Sequence, residues 1–468
     1  MKSIISKVYR AYLSKKHYTN INNKKKVLDQ VSKSFCSAKW LQSSISLYNG
    51  MTHSCHHPPQ HKILPSDILN NPSGLHNTQY KIEQRKSMIN GGKPSECSYC
   101  WDIESIGGSF LSDRIIKSTN SDWSIDYIKN IKQNSLSKNI NPTYLEIAFD
   151  NKCNLKCAYC SPDISSSWMS EIKKYGAYPT SNNYGSLDWV EYSGRFPLEE
   201  KDNIYIESFW EWWPSLYKDL KVFRITGGEP LLSSETWKTL NLIEKSPKKD
   251  LVMSINTNLS VSDSLISKLI SQANLISNNV KKFEIHTSCE GHGRQAEYIR
   301  FGMNYQKFME NIERVLYETN DTIKLNITMT VNALSCTSFI NFLKHIKQLR
   351  SKYKTKFGFD KLTFSVNYLS WPPHLSLKVL PVDYREKFVN DLKKYIKTNR
   401  ITNPTGYLSY VEVDQLSRLC EYTISLVQDN EKQNTNDFKL FIKEYDKRKN
   451  LNFDKVYPEF KFFNIYSN

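Results

Sequence analysis

The sequence predicts an α/β fold built from parallel strand–helix units. Two observations carry this prediction. From residue 144 onward, short runs rich in Ile, Val, Phe and Thr alternate with segments of helical periodicity, the order typical of right-handed parallel units. Polar residues also fall at or just past the end of each run, which in parallel barrels is the rim that carries ligands and catalysis.

Six strands and six helices follow from these patterns. The predicted strands are Leu145–Asp150, Lys221–Thr226, Leu251–Asn256, Lys282–Ser288, Thr322–Val331 and Lys361–Asn367. Helical segments are predicted near residues 203–219, 234–245, 262–277, 303–319, 337–353 and 382–398. The residues at the strand ends are, in order, Cys153, Gly227, Asn256, Ser288, Thr330 with Asn332, and Asn367 with Tyr368.

Three cysteines form a compact loop after the first predicted strand. Cys153, Cys157 and Cys160 have the spacing C-x3-C-x2-C, with Tyr159 just before the third cysteine. Three thiolates this close can hold three irons of a cubane cluster and leave the fourth iron open for chemistry. A disulfide framework would leave one cysteine over, and the remaining alternative is a zinc knuckle.

A second motif, after the second predicted strand, narrows the possible functions of the cysteine loop. Thr226-Gly227-Gly228-Glu229-Pro230 follows the second predicted strand, and with the cysteine loop it resembles the signature of radical S-adenosylmethionine (radical SAM) enzymes. The resemblance implies a partial (β/α)6, TIM-like radical SAM barrel. It also implies a SAM-binding [4Fe-4S] cluster on the three cysteines and S-adenosyl-L-methionine as cofactor. An external one-electron reductant, flavodoxin- or ferredoxin-like, would drive cleavage of SAM to a 5′-deoxyadenosyl radical.

The same resemblance assigns cofactor-binding residues along the rim. They are Gly227, Gly228, Glu229 and Pro230, with Glu229 and its backbone taking the methionine ammonium, Asn256 near the ribose, and Ser288 and Arg300 at the SAM carboxylate. Plainer alternatives exist for the Gly-Gly-Glu-Pro motif, Asn256 and Arg300. Glu-Pro after Gly-Gly also starts a helix, Asn256 suits an Asx turn, and Arg300 suits a surface ion pair. In Ser288-Cys289-Glu290-Gly291 a Glu replaces the usual Asp of the family.

A second cysteine set precedes the predicted barrel. Cys36, Cys55, Cys97 and Cys100 have the spacing C-x18-C-x41-C-x2-C and resemble a twitch domain, the short form of the SPASM module, which binds an auxiliary [4Fe-4S] cluster. Its familiar place is after the barrel, and here it comes before it. Structural zinc and a mixed Cys/His site that uses the run from His53 to His61 are the alternatives. Trp101, Glu104 and Arg114 resemble a recurring tail of this module.

The length and the charge of the chain predict its domain organisation and bear on its partners. The 468 residues suggest a basic segment at 1–30, a twitch-like domain at 31–120, a barrel at 141–400 and a helical extension at 401–468. The net charge of +17 comes from scattered Lys without an Arg-rich patch, so we expect no nucleic-acid partner. There is no run that would span a membrane, and the ligand-like cysteine spacings indicate a reducing, cytoplasmic location.

These features predict a radical SAM iron–sulfur enzyme that abstracts hydrogen from its substrate. A peptide, oxidised or cross-linked between the twitch-like domain and the barrel mouth, is the expected substrate, since related enzymes often act on peptides. The alternatives are a small-molecule or sugar dehydrogenase and a non-catalytic zinc or iron–sulfur protein. Most aromatic residues of the insertion at 163–215 are expected to pack in the core, and His374 is expected in a solvent-exposed loop.

Overall fold

The structure is a computed structural model of the chain. It describes residues 25–106, 111–119, 122–128, 131, 139–199, 201, 203–353, 360–403, 406–426 and 431–466. Most of the predicted basic segment, residues 1–24, lies outside these ranges. Within them the protein is a mixed α/β molecule with a large, mainly parallel sheet and many helices.

Eleven strands are present in the described ranges. They are β1 Gln42–Ser46, β2 Met51–His53, β3 His61–Lys62, β4 Tyr144–Ala148, β5 Lys156–Cys157, β6 Val222–Thr226, β7 Lys248–Asn256, β8 Val280–Ser288, β9 Arg300–Phe301, β10 Lys324–Val331 and β11 Leu362–Tyr368. All six predicted strands are found, as β4, β6, β7, β8, β10 and β11. The other five strands, which are short, were not predicted from the sequence: β1, β2, β3, β5 and β9.

The described ranges also contain α-helices. They are α1 Ala38–Leu41, α2 Pro65–Ile68, α3 Gln79–Ile89, α4 Ser98–Ile106, α5 Asp113–Ser118, α6 Ser166–Tyr175, α7 Leu187–Tyr192, α8 Ile204–Asp219, α9 Ser234–Lys245, α10 Asp263–Ser277, α11 Arg294–Ile299, α12 Tyr305–Glu318, α13 Phe339–Lys352, α14 Val382–Asn399, α15 Tyr410–Ser425, α16 Glu431–Lys449 and α17 Phe453–Val456. The six predicted helices correspond to α8, α9, α10, α12, α13 and α14, each within two residues at both ends.

The chain divides into two compact units. The first unit comprises Met1–Phe149, Pro197–Ile225 and Asp250–Val252, and the second comprises Asp150–Phe196, Thr226–Lys249 and Met253–Asn468. Strand β4, predicted as the first barrel strand, belongs to the first unit, because it pairs in parallel with β1 along its whole length.

The first unit holds the neighbouring strands β6, β4, β1, β2 and β3 in that order. Strand β1 is parallel to β4, with Ser44 opposite Glu146, and antiparallel to β2, with Ser44 opposite His53. A buried cluster lies beside this sheet, and two of the four upstream cysteines belong to it. Its large members are Leu28, Phe35, Trp40, Met88 and Trp123, packed with Cys36 and Cys97.

The second unit holds the neighbouring strands β7, β8, β10 and β11 in that order. Strand β10 is parallel to both β8 and β11. Its side chains alternate strictly between buried and partly buried, so that Leu325, Ile327, Met329 and Val331 are buried against one side. Thr330 therefore faces the opposite, more polar side of the sheet together with Asn326 and Thr328.

A short two-stranded sheet fixes the cysteine loop of the second unit. Strand β5, inside the loop, is antiparallel to β9, with Lys156 opposite Phe301 and Cys157 opposite Arg300. The amide of Ala158 extends this ladder by donating to the carbonyl of Ile299 at 2.7 Å. Across the described ranges, none of the helices is long and apolar enough to cross a membrane.

Candidate functional site

A cavity of about 290 Å³ in the second unit brings together most of the predicted site residues. Its wall includes the three loop cysteines and the residues at the ends of four strands. The lining residues that the sequence predicted are Cys153, Cys157, Cys160, Gly227, Gly228, Asn256, Ser288, Arg300 and Thr330. Residues that are distant in sequence thus meet at one edge of the sheet, as expected for polar residues that follow the ends of parallel strands.

The cysteine loop is held by side chains of the segment that follows it. Ser166 Oγ accepts from the amide of Cys153 at 3.1 Å, and Trp168 Nε1 donates to the carbonyl of Cys157 at 3.0 Å. The hydroxyl of Tyr184 donates to the carbonyl of Cys160 at 2.5 Å. These three bonds use the backbone of the loop and do not involve its thiols.

Burial affects the thiols of this loop in the same direction. Desolvation raises the pKa of Cys157 to about 11, and it also raises the pKa values of Cys153 and Cys160. The three thiols are therefore protonated at neutral pH in the absence of a metal. A metal would have to displace their protons, which makes its binding depend on pH.

The two glycines of the Gly-Gly-Glu-Pro motif lie against this loop. The amide of Gly228 donates to the carbonyl of Asp150 at 3.2 Å, and the amide of Glu229 donates to that of Lys152 at 2.6 Å. A Cβ atom on Gly228 would lie 2.4 Å from the carbonyl oxygen of Lys152. Gly227 has a φ of 137°, a conformation that side chains disfavour. Both positions therefore require glycine.

Glu229 is buried and already has partners. Its Oε1 accepts from the amide of Leu231 at 3.1 Å and its Oε2 from the amide of Asn258 at 2.6 Å. Desolvation raises the pKa of this carboxyl to about 7, despite those two bonds. Neither Glu229 nor Pro230 is among the residues that line the cavity. The carboxylate thus caps the turn at Pro230–Leu232, and the glycine backbone is the part of the motif that faces the cavity.

The residues at the ends of β7 and β8 form another part of the cavity wall. Asn256, Thr257 and Asn258 line the cavity after β7, and Ser288 lines it at the end of β8. The Asn258 side chain donates to Asn154 of the cysteine loop at 2.8 Å. The Asx turn that was the alternative for Asn256 is formed two positions later, since Asn258 Oδ1 accepts from the amide of Ser260 at 2.8 Å.

Arg300 lines the cavity but is not a surface residue. Its Nη2 donates to Glu290 Oε2 at 2.7 Å and to the hydroxyl of Tyr159 at 2.6 Å. Its Nη1 lies 3.7 Å from Cys157 Sγ, within donating distance of a sulfur. Arg300 and Glu290 are 6% and 1% exposed, so the ion pair is buried. No role was predicted for Glu290 from the sequence, although its place in the Ser-Cys-Glu-Gly turn was a visible signal.

The four upstream cysteines also meet, in the first unit. Cys36, Cys55, Cys97 and Cys100 all line one small cavity, together with the cations Lys39, Arg114 and Lys117 and the anion Asp113. Burial raises the pKa of Cys97 to about 12 and also raises that of Cys55. Positive side chains around a set of thiols would stabilise the thiolate forms that bind metal.

The histidines of the first unit have partners of their own. His57 Nε2 is 2.7 Å from Asp113 Oδ2, His61 Nε2 is 3.0 Å from the hydroxyl of Thr78, and His53 Nδ1 contacts the carbonyl of Cys55. Throughout the described part of the chain, no three His, Cys, Asp or Glu side chains are arranged to hold a single metal ion. Thiolates around a cubane stand farther apart than those around one ion, because each binds a different corner.

Solvent exposure was predicted from the sequence for His374 and burial for three cysteines outside the two cysteine sets, and His374 differs from its prediction. His374 is buried, not solvent-exposed, because its ring packs 5.0 Å from Phe441 and 5.1 Å from Tyr184. Desolvation lowers its pKa to about 4. Cys289, Cys336 and Cys420 are buried, as expected of cysteines without a motif partner.

Comparisons with known proteins give remote similarities. No protein-family model and no curated protein sequence matches the chain. A crystal structure of Streptococcus suis SuiB bound to S-adenosylmethionine covers 76% of this chain and 68% of SuiB, with 13% identity and a TM-score of 0.32. A crystal structure of SuiB bound to the precursor peptide SuiA covers 77% and 69%, with 12% identity and a TM-score of 0.33.

Proposed function

We propose that the protein is a radical SAM iron–sulfur enzyme. The observation that carries the proposal is the single cavity whose wall combines Cys153, Cys157 and Cys160 with the Gly227-Gly228 backbone and the strand-end residues Asn256 and Ser288. A structural zinc knuckle would need a fourth protein ligand, and it would not need a cavity beside the metal. Here the three thiols face a space large enough for a small molecule, bounded by hydrogen-bonding groups.

The residues present fit a cluster and a SAM molecule. Three thiols are the only cysteine donors of the cavity wall, which matches a cluster with one iron left for a ligand. The Gly227-Gly228 backbone allows close approach, and Asn256 and Ser288 offer polar groups to a ribose or carboxylate. When bound, the two cofactors would supply reductive cleavage of SAM and a 5′-deoxyadenosyl radical for hydrogen abstraction.

We propose a second, auxiliary [4Fe-4S] site in the first unit. Cys36, Cys55, Cys97 and Cys100 line one cavity, and Lys39, Arg114 and Lys117 supply positive charge beside them. A set of four thiolates carries more negative charge than its metal neutralises, so these cations would stabilise it. The proposed substrate is a peptide, and this part of the proposal rests on the motif resemblance to twitch and SPASM enzymes.

Iron analysis of variants tests both sites. Anaerobically reconstituted protein is expected to hold about eight irons and eight sulfides, as two four-iron clusters. Joint replacement of Cys153, Cys157 and Cys160 by Ala should leave about half, and so should joint replacement of the four upstream cysteines. Zinc in the first unit, with full iron retained by the four-cysteine variant, would contradict the auxiliary cluster.

Turnover tests the reaction class. Reduced wild-type protein should convert SAM to 5′-deoxyadenosine and methionine slowly without a substrate, and Cys157→Ala should abolish this reaction. Cys420→Ala is the matched control, because Cys420 is a buried cysteine of the same unit that lines neither cavity. Loading of iron without SAM cleavage in the wild type would contradict the enzyme and favour a binding protein.

A further inference from the structure

The buried Arg300–Glu290 pair is the strongest feature that the proposed function leaves unused. The family resemblance would give Arg300 to the carboxylate of SAM, as a free guanidinium fork. The contacts show a different arrangement. Both amino nitrogens of Arg300 already have partners within the protein, namely Glu290 and Tyr159 on Nη2 and Cys157 on Nη1.

Backbone pairing places the guanidinium beside one particular thiol. Arg300 is the direct partner of Cys157 in the antiparallel β5–β9 ladder. Two residues opposite each other in such a ladder have neighbouring side chains, so the 3.7 Å contact from Nη1 to Sγ follows from the fold.

Glu290 fixes the orientation of that guanidinium. Its Oε2 accepts from Arg300 Nη2 at 2.7 Å, while its Oε1 accepts from the hydroxyl of Tyr159 at 3.1 Å. Tyr159 in turn accepts from the same Nη2 at 2.6 Å. Three groups thus form a closed ring of hydrogen bonds with Nη1 directed away from it, toward the thiol.

We propose that Arg300 is a positioning residue for the cluster ligand Cys157, and that it sets the reduction potential of that cluster instead of binding SAM. This inference rests on the proposed function, because it requires a cluster on the loop. A cation that donates to a ligand sulfur stabilises the more negative, reduced state of a cluster, and hydrogen bonds to sulfur are among the factors that set its potential. Removing the guanidinium should therefore make the cluster harder to reduce.

The main test removes both charges of the pair at once. Loss of Arg300 alone would leave Glu290 buried and unpaired, which can prevent folding, whereas joint removal often preserves stability. The variant is Arg300→Met/Glu290→Gln, reconstituted as the full chain. Its midpoint potential is measured by EPR-monitored titration, on the cluster whose spectrum changes when SAM is added. The net charge of the site is unchanged in this variant, and what is lost is the hydrogen bond from Nη1 to the sulfur of Cys157. We therefore expect a more negative potential than in the wild type, with SAM affinity on the oxidised protein unchanged.

Two further variants keep the test decisive. Arg300→Lys keeps one positive charge but cannot serve three partners at once, so its potential should lie between those of the wild type and the double variant. Tyr159→Phe removes one partner of Nη2 and leaves Nη1 in place, so its potential should match the wild type. Both variants change the hydrogen bonds of the ring, and both keep a positive charge beside the carboxylate of Glu290.

The outcomes separate this inference from the proposed function. An unchanged potential in the double variant, with SAM binding weakened by about tenfold or more, would overturn the inference and assign Arg300 to the SAM carboxylate. Such a result would leave the radical SAM function intact. A wild-type protein that binds no iron through Cys153, Cys157 and Cys160 would instead refute the proposed function, whatever Arg300 does.

Discussion

Arg114 holds the carboxylate of Glu104 through two parallel hydrogen bonds, from Nε to Oε1 at 2.8 Å and from Nη2 to Oε2 at 2.9 Å. Its third nitrogen, Nη1, donates to the carbonyl of Phe35 at 2.7 Å, next to Cys36. Arg114 also lies 5.6 Å over the ring of Trp101, the residue after Cys100. One guanidinium thus connects the segments that carry three of the four upstream cysteines.

The first prediction concerns this contact. Glu104→Gln should lower the free energy of unfolding by about 1–3 kcal/mol, because a bidentate charge-assisted pair is replaced by a weaker bond to a buried guanidinium. Urea titration followed by tryptophan fluorescence measures the change. Glu83→Gln is the matched control, since Glu83 is an exposed carboxylate of the same unit. Equal stabilities of the two variants would mean that the Arg114–Glu104 pair contributes little.

The regular elements were predictable because their sequence patterns are strong. Strand β10 alternates apolar and polar residues over its whole length, and helix α12 repeats apolar residues at helical spacing, so both were found from the sequence. Strand β7 was predicted to begin at Leu251, but it starts at Lys248. Its first three residues are charged and give no apolar signal, although the backbone still forms the ladder.

The site was predictable in its residues but not in its contacts. The strand-end rule and the two motifs identified Cys157, Asn256 and Ser288, all of which line the cavity. A two-residue strand such as β5 has no periodicity, so its pairing with β9 could not be inferred. That pairing places Arg300 opposite Cys157, whereas the sequence alone assigned Arg300 to the SAM carboxylate or to a surface ion pair.

The Gly-Gly-Glu-Pro motif was open to two readings, and its residues turn out to divide between them. Gly228 faces the cavity and the cysteine loop, whereas Glu229 caps the turn at Pro230–Leu232 with its carboxylate. The sequence could not separate these roles, because the choice depends on which amides reach Glu229. One of them, that of Asn258, comes from another strand end.

The second prediction follows from the close packing of Gly228. Gly228→Ala should displace the backbone of the cysteine loop, since the new Cβ would lie 2.4 Å from the Lys152 carbonyl oxygen and 2.5 Å from that of Asn151. We expect a loss of about 1–3 kcal/mol in stability and reduced iron loading at Cys153, Cys157 and Cys160. Iron analysis and thermal unfolding measure the two effects.

Gly291→Ala is the control for this variant. A Cβ at Gly291 meets its nearest atoms at 3.3 Å, so small shifts can accommodate it. It should lose less stability than Gly228→Ala and keep its iron content. Full iron loading in Gly228→Ala would show that the loop yields without losing its ligand geometry.

The third prediction concerns the polar groups of the cavity wall. Ser288→Ala and Asn256→Ala should each weaken SAM binding by about 0.5–1.5 kcal/mol, the usual contribution of one hydrogen bond, if these residues contact the cofactor. Equilibrium dialysis of SAM against iron-loaded protein measures the affinity. Ser365→Ala is the control, because Ser365 lies on β11, bonds Asn326 at 3.0 Å and does not line the cavity. Unchanged affinity in both test variants would place SAM elsewhere.

The last prediction uses the titration of Glu229. Burial raises the pKa of this carboxyl from 4.5 to about 7, so between those pH values the folded chain holds a proton that the unfolded chain has released. Stability should therefore fall as pH rises through this window, and level off above about pH 7, with a total loss of roughly 3 kcal/mol from this group.

The Glu229→Gln variant tests this prediction, because glutamine cannot titrate. Its amide nitrogen also cannot accept from a backbone amide, so the variant should be less stable by about 1 kcal/mol at low pH but lack this pH dependence. Urea titrations at several pH values, compared between wild type and variant, measure the difference, with Glu310→Gln on the exposed face of α12 as the control. If the wild type and Glu229→Gln change stability in parallel across the window, Glu229 is ionised throughout, and its bonds to Leu231 and Asn258 outweigh its burial.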